Sequence, residues 1–96
     1  MPTVKFASSF NHDYRELLVK EPNIKSTVDE RIKWFSLNSN DTRLKDHSLL
    51  RTMPGRRAFR ITNDIRIVYT WSSKTTVRFL YIGPHSKVYS KRPIKR

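Results

Sequence analysis

The sequence predicts an α+β domain in which a hairpin of two N-terminal helices packs on an antiparallel β-sheet. Apolar residues recur at helical spacing from residue 10 to residue 37, and at a spacing of two from residue 58 to residue 82. The links between the later segments, residues 62–64 and 72–75, are so short that the strands they join must be antiparallel neighbours.

Residues 3–7 read as a short strand. Ser8 or Ser9 can cap a helix, because a serine oxygen accepts from the unpaired N–H groups of the first turn. Phe10, Tyr14, Leu17 and Leu18 follow on one face. Glu21-Pro22-Asn23 interrupts that helix, and proline suits the first turn of a new one, where its missing N–H costs nothing. Ile24, Val28, Ile32 and Phe35 then stripe a second amphipathic helix that ends near Leu37. Residues 38–41 are a polar loop, residues 43–51 show neither period, and Met53-Pro54-Gly55 is a turn by composition. Residues 58–61, 65–71 and 76–82 read as three strands.

Register follows from the pattern, because a slip of one residue moves every side chain to the opposite face. A three-residue link at 62–64 sets Phe59 against Ile67, Ile61 against Ile65 and Arg60 against Arg66. A four-residue link at 72–75 sets Ile67 against Leu80, Ile65 against Ile82 and Arg66 against Tyr81. One face is then aliphatic and packs on the helices. The other carries Arg60, Arg66 and Tyr81.

The 96 residues make one domain, residues 1–90, followed by a basic tail, 91–96, that reads as mobile. A chain this short buries only about two-thirds of its unfolded surface, so the aromatic 11% is the expected core material. There is no cysteine, which excludes a disulfide framework and a thiolate metal site. No apolar run is long enough to span a bilayer, and the first residues do not read as a signal peptide. The expectation is a cytoplasmic protein with no membrane partner. The net charge of +12 is unevenly spread. Residues 1–50 hold 8 basic and 7 acidic residues, whereas residues 51–96 hold 12 basic residues and a single acid, Asp64. A near-neutral scaffold joined to a cationic surface points to a polyanionic partner, with nucleic acid first.

A two-metal nuclease needs several carboxylates to hold its ions, and the cationic half offers only Asp64. A glycine-rich phosphate loop is likewise excluded, since the chain has only Gly55 and Gly83. What remains is a route without metal or other cofactor. RNA carries its own nucleophile, the 2′-hydroxyl. An enzyme need only align it, move protons with His or Tyr, and neutralise the phosphate with Arg or Lys. Arginine can grip two phosphate oxygens at once.

Four stretches carry a resemblance. They are Leu44-Lys45-Asp46-His47-Ser48-Leu49, Pro54-Gly55-Arg56-Arg57-Ala58-Phe59-Arg60-Ile61, Asn63-Asp64-Ile65-Arg66-Ile67-Val68-Tyr69 and Ile82-Gly83-Pro84-His85-Ser86-Lys87-Val88-Tyr89. In order and spacing, behind a helical hairpin, they resemble the RelE/ParE superfamily of type II toxins, nearest its YafQ-like ribonuclease branch. The resemblance implies a curved antiparallel sheet on two helices, an mRNA interferase acting in the ribosomal A site, and a cognate antitoxin. It implies that His47 and His85 move protons or bind phosphate, that Arg66 holds the scissile phosphate, and that Tyr89 orients or stacks on the RNA. Arg57, Arg60, Tyr81 and Lys87 are the expected RNA-binding residues around them. Arg60 stands where that branch carries histidine, Tyr81 where it carries arginine, and Pro84 where threonine is more usual.

Each residue also has a plainer role open to it. His47 is equally a loop histidine bonded to backbone, Arg66 a solvated strand residue and Tyr89 a packed aromatic. Asp64 reads as turn chemistry, His12 as surface, and Trp34 and Trp71 as core or rim. The function expected is a metal-independent endoribonuclease toxin. Two alternatives stand beside it: a ParE-like inhibitor of DNA gyrase, and a nucleic-acid-binding module without catalysis.

Overall fold

The computed structural model describes residues 2–49 and 54–88. The described chain runs β1 (Thr3–Phe6), α1 (Ser8–Lys20), a 3₁₀ turn (Pro22–Ile24), α2 (Lys25–Leu37), a second 3₁₀ turn (Thr42–Leu44), β2 (His47–Ser48), β3 (Arg57–Arg60), β4 (Ile65–Trp71), β5 (Thr76–Pro84) and α3 (His85–Val88). The strands form one sheet in the order β1-β5-β4-β3-β2. The α+β class holds, with one addition. β1 lies parallel to β5, Val4 against Val77 and Phe6 against Phe79, so the sheet is mixed.

Both helices fold where the periodicity puts them. Phe10 and Leu17 of α1 are buried, with Tyr14 and Leu18 packed at the margin. Ile24, Val28 and Phe35 are buried in and just before α2, which ends at Leu37. The expected serine cap is absent. Ala7 occupies the cap position without a side-chain bond. Ser9 lies inside the helix, where its Oγ donates to the Leu80 carbonyl at 2.6 Å and ties α1 to β5.

The core between helices and sheet is aromatic. Phe35 stacks on Phe59 with ring centres 4.9 Å apart, and Phe79 meets Phe10, Phe35, Phe59 and Tyr69. Such pairs add about 0.5–1.5 kcal/mol each beyond their area, which is how a small domain without cysteine gains a sufficient core.

The β3–β4 register is the one the alternation predicts: Phe59 pairs with Ile67 and Arg60 with Arg66. The β4–β5 register is not. Trp71 pairs with Val77, and the ladder slips again between Val68 and Tyr69. Leu80 is the extra residue there, a β-bulge. The two shifts together set Ile67 against Ile82, Ile65 against Pro84 and Arg66 against Gly83, while Tyr81 faces Val68.

The aperiodic stretch after residue 42 contains a buried anchor, Leu44, and the two-residue strand β2. Lys45 turns the chain there with φ of 53°. Of the expected Met53-Pro54-Gly55 turn, Pro54 and Gly55 are described, Gly55 with φ of 82°. Met53 and the tail 91–96 lie outside the described residues. Among the described residues no helix is long and apolar enough to cross a membrane.

Phe59→Ala should cost about 3–5 kcal/mol in urea unfolding, because its ring touches Phe35, Tyr69 and Phe79. Val19→Ala, at 83% exposure, should stay within about 0.5 kcal/mol of the unchanged chain.

Candidate active site

Residues opposed across a ladder share a face. Phe59, Ile61, Ile65 and Ile67 belong to the core under the helices, so Ala58, Arg60, Arg66 and Val68 project to the other side. There Ala58, Val68, Leu49 and Val88 form a second, small apolar cluster against which Tyr81 packs. This face is therefore partly covered by α3 rather than fully open. The register lays out two rows on it: His47, Ala58, Val68 and Tyr81 in one, Arg60, Arg66 and Gly83 in the next.

Arg66 is held by the turn that precedes β4. Its Nη1 donates to the carbonyls of Thr62 at 3.0 Å and Asn63 at 2.9 Å. Those bonds occupy one end of the guanidinium and fix its direction. The edge formed by Nε and Nη2 is the one suited to an oxyanion. The same turn receives His85, whose backbone N–H donates to the Asp64 carbonyl at 2.8 Å. Asp64 thus serves as the latch for the start of α3, and the exposed His85 begins where β5 ends.

Lys87 reaches away from that face. Its Nζ donates to Glu16 Oε1 at 2.8 Å and lies 3.9 Å from the buried Asp13. The hydrogen bond and the charge of Lys87 hold the Glu16 carboxyl below its ordinary pKa, and Glu16 in turn raises Lys87. Lys87 binds α3 to α1, and the expectation that it joins the RNA-binding group meets this competing role. Arg57 also departs from the expected group. It projects to the helix side, opposite Tyr69, and its Nε donates to Asp46 Oδ1 at 2.6 Å. Parity decides this outcome: residue 57 shares the phase of Phe59.

His47 is exposed on β2 and shares a row with Ala58. It stands two strands from Arg66, roughly 10 Å across the sheet. Asp46, the residue before it, accepts from Arg57 and from the Tyr69 hydroxyl. Burial, then the bond to Asp46, pushes the Tyr69 hydroxyl pKa far up, so the ring remains a donor. This buried network anchors the strand that presents His47. His47 Nδ1 lies 3.1 Å from the Lys45 carbonyl. A carbonyl only accepts, so this contact is made with a proton on Nδ1.

Arg60 pairs with Arg66 as expected, yet it also lines a cavity against Trp34 of α2. Its Nε is buried without a hydrogen-bond acceptor among the described residues. Tyr81 is partly buried, with the Arg56 guanidinium 5.8 Å from its ring centre. Tyr89 lies outside the described residues. Arg78, opposite Thr70 and beside Lys5, also reaches the cationic face. The bulge at Leu80 reverses the parity of β5 and puts Arg78 and Tyr81 on one side. The adjacent apolar pair Phe79-Leu80 is the trace of that bulge in the sequence. A cavity of about 610 Å³ bounded by Asp46, Arg57, Tyr69 and Trp71 opens on the helix side, away from Arg66.

This architecture is that of the RelE/ParE-like toxins. A YoeB/ParE toxin from Agrobacterium tumefaciens superimposes with a TM-score of 0.70 at 20% identity, over 86% of this chain and 98% of that one. A copper-bound mutant toxin from Helicobacter pylori gives 0.73 at 25% identity, over 92% and 99%. YafQ from Escherichia coli gives 0.75 at 18%, over 92% and 98%. The family profile for the bacterial toxin of type II toxin–antitoxin systems, YafQ, matches residues 2–90, and the chain belongs to that family. No curated protein matches it by sequence.

Tyr69→Phe should lower stability by about 1.5–3 kcal/mol, the worth of a buried hydrogen bond to a charged acceptor, in urea unfolding at neutral pH. The Glu16–Lys87 contribution has a different signature. Glu16 titrates below its ordinary value when folded, so the contribution is present above that value and is lost as pH falls through the lowered one. The stability gap between the unchanged chain and Glu16→Gln should therefore be visible at neutral pH and narrow as the pH is taken below the ordinary glutamate range.

Proposed function

We propose that this YafQ-family toxin is a metal-independent endoribonuclease that cuts mRNA in the ribosomal A site. The observation that carries the reading is that Arg66 and His85 are both tied to the turn at residues 62–64, on the face that His47 shares. Arg66 receives the phosphate on its Nε–Nη2 edge and stabilises charge that grows there during reaction. His47 Nε2 takes the proton from the 2′-hydroxyl. The 2′ oxygen attacks phosphorus, the bond from phosphorus to the 5′ oxygen breaks, and His85 supplies the proton to that leaving oxygen. The products are a 2′,3′-cyclic phosphate and a 5′-hydroxyl.

Tyr89, which lies outside the described residues, keeps the role the resemblance implies, orienting or stacking on the RNA, and Arg56, Arg78 and Lys5 contribute attraction for the strand and the ribosome. A structure of a DinJ–YafQ complex from Escherichia coli superimposes with a TM-score of 0.70 at 18% identity, over 91% of this chain and 96% of that one. A cognate antitoxin with an acidic segment is the corresponding partner here, covering the same cationic face. The protein acts in the cytoplasm, where its substrate is.

Purified protein added to translating ribosomes should give discrete mRNA ends by primer extension. His47→Ala and His85→Ala should each slow cutting by about 10²–10⁴-fold. Arg66→Lys should also fall well below the unchanged chain, because a point charge does not replace the fork. Gyrase supercoiling should be unaffected. Equal cutting by unchanged chain and His85→Ala would remove His85 from the mechanism.

A further inference from the structure

Between α2 and the end of β3 lies a cavity of about 290 Å³ whose lining includes Arg31, Trp34, Arg43, Arg60, Thr62 and Asn63. No carboxylate lies in that lining. The Arg43 and Arg31 guanidinium carbons sit 3.7 Å and 4.2 Å from the Trp34 ring centre, a contact that fixes both side chains. Each is paired with an acid, Arg43 through Nε and Nη2 with Asp41 and Arg31 with Glu30. Arg60 forms no ion pair among the described residues, and its buried Nε has no acceptor there. A buried cationic donor at the wall of a cavity calls for an anionic oxygen within it.

We propose that this cavity is a second phosphate subsite, which takes a backbone phosphate of the RNA strand away from the bond that is cut. Its wall at Thr62 and Asn63 is the turn whose carbonyls hold Arg66. Cavity and scissile site thus lie on two sides of one turn. A polyanion with repeated phosphates can occupy both at once, whereas a lone carboxylate cannot. The Trp34 edge, framed by arginines, offers the adjacent ribose an apolar contact. The subsite rests on the nuclease reading only for the identity of the strand. Arg60 changes role accordingly: it grips the strand at a distance, and Arg66 alone faces the reacting phosphate.

The test uses the full chain and a short 2′-O-methyl RNA, which binds but has no 2′-hydroxyl with which to cut. The Arg60 Nε–H resonance should shift with saturation that follows binding. Arg60→Gln and Arg31→Gln should each reduce the slope of log affinity against log salt by about 0.7, the loss of one phosphate contact on a single strand. Arg60→Lys, which keeps the charge, should retain the slope while binding more weakly, and serves if Arg60→Gln does not fold. An unmoved Arg60 resonance at saturating RNA, unchanged slopes, or no RNA binding would each overturn the subsite. So would a shift produced by a glutamate-rich peptide and not by RNA, which would mark a protein-docking surface. Ribosomal cleavage without the Arg60 shift removes the subsite and leaves the nuclease reading. The shift without cleavage does the reverse.

Discussion

The turn at residues 62–64 is fixed from within before it positions anything else. Thr62 Oγ1 accepts from the backbone N–H groups of Asp64 and Ile65, and the Ile65 carbonyl accepts from Ile61 and Thr62. With its donors consumed locally, the turn directs its carbonyls outward. Two of them hold Arg66 and a third holds the first residue of α3. A threonine at this position therefore governs where the Arg66 guanidinium and the backbone of His85 stand.

The charge asymmetry of the chain has a structural counterpart. Basic residues of the second half find acids in the first: Arg57 with Asp46, Lys87 with Glu16 and Asp13. These pairs bind sheet and α3 to the helical half. Arg66 and Arg78 project to the opposite face, where Arg56 also reaches the Tyr81 ring. The cationic half is thus not a uniform binding surface. Its parity in the strands sorts arginines into those that pair with acids of the helical half and those on the opposite face.

Much of this was legible in the residues. The helices, the first hairpin and the Arg60–Arg66 pair follow from clean alternation, since Phe59, Ile61, Ile65 and Ile67 admit only one phase. The second hairpin did not follow, because a bulge leaves composition unchanged and shows only as Phe79 beside Leu80. That slip moved Tyr81 from Arg66 to Val68 and brought Arg78 onto the face. The parallel pairing of β1 was hidden because a short strand's side chains do not encode its direction. α3 is four residues long, too short to show a helical period. His47 and His85 were found by resemblance. The contact between His47 Nδ1 and the Lys45 carbonyl follows a left-handed Lys45, which no spacing rule reveals.

In the proposed reaction, RNA held against Arg66 severs itself through its own 2′-hydroxyl. The direct measurement replaces a single 2′-hydroxyl, at the mapped cut site of a ribosome-bound message, with hydrogen. The account requires that the message remain whole at that position, while the unmodified message yields a terminal 2′,3′-cyclic phosphate. Cutting of the two at the same rate would contradict it.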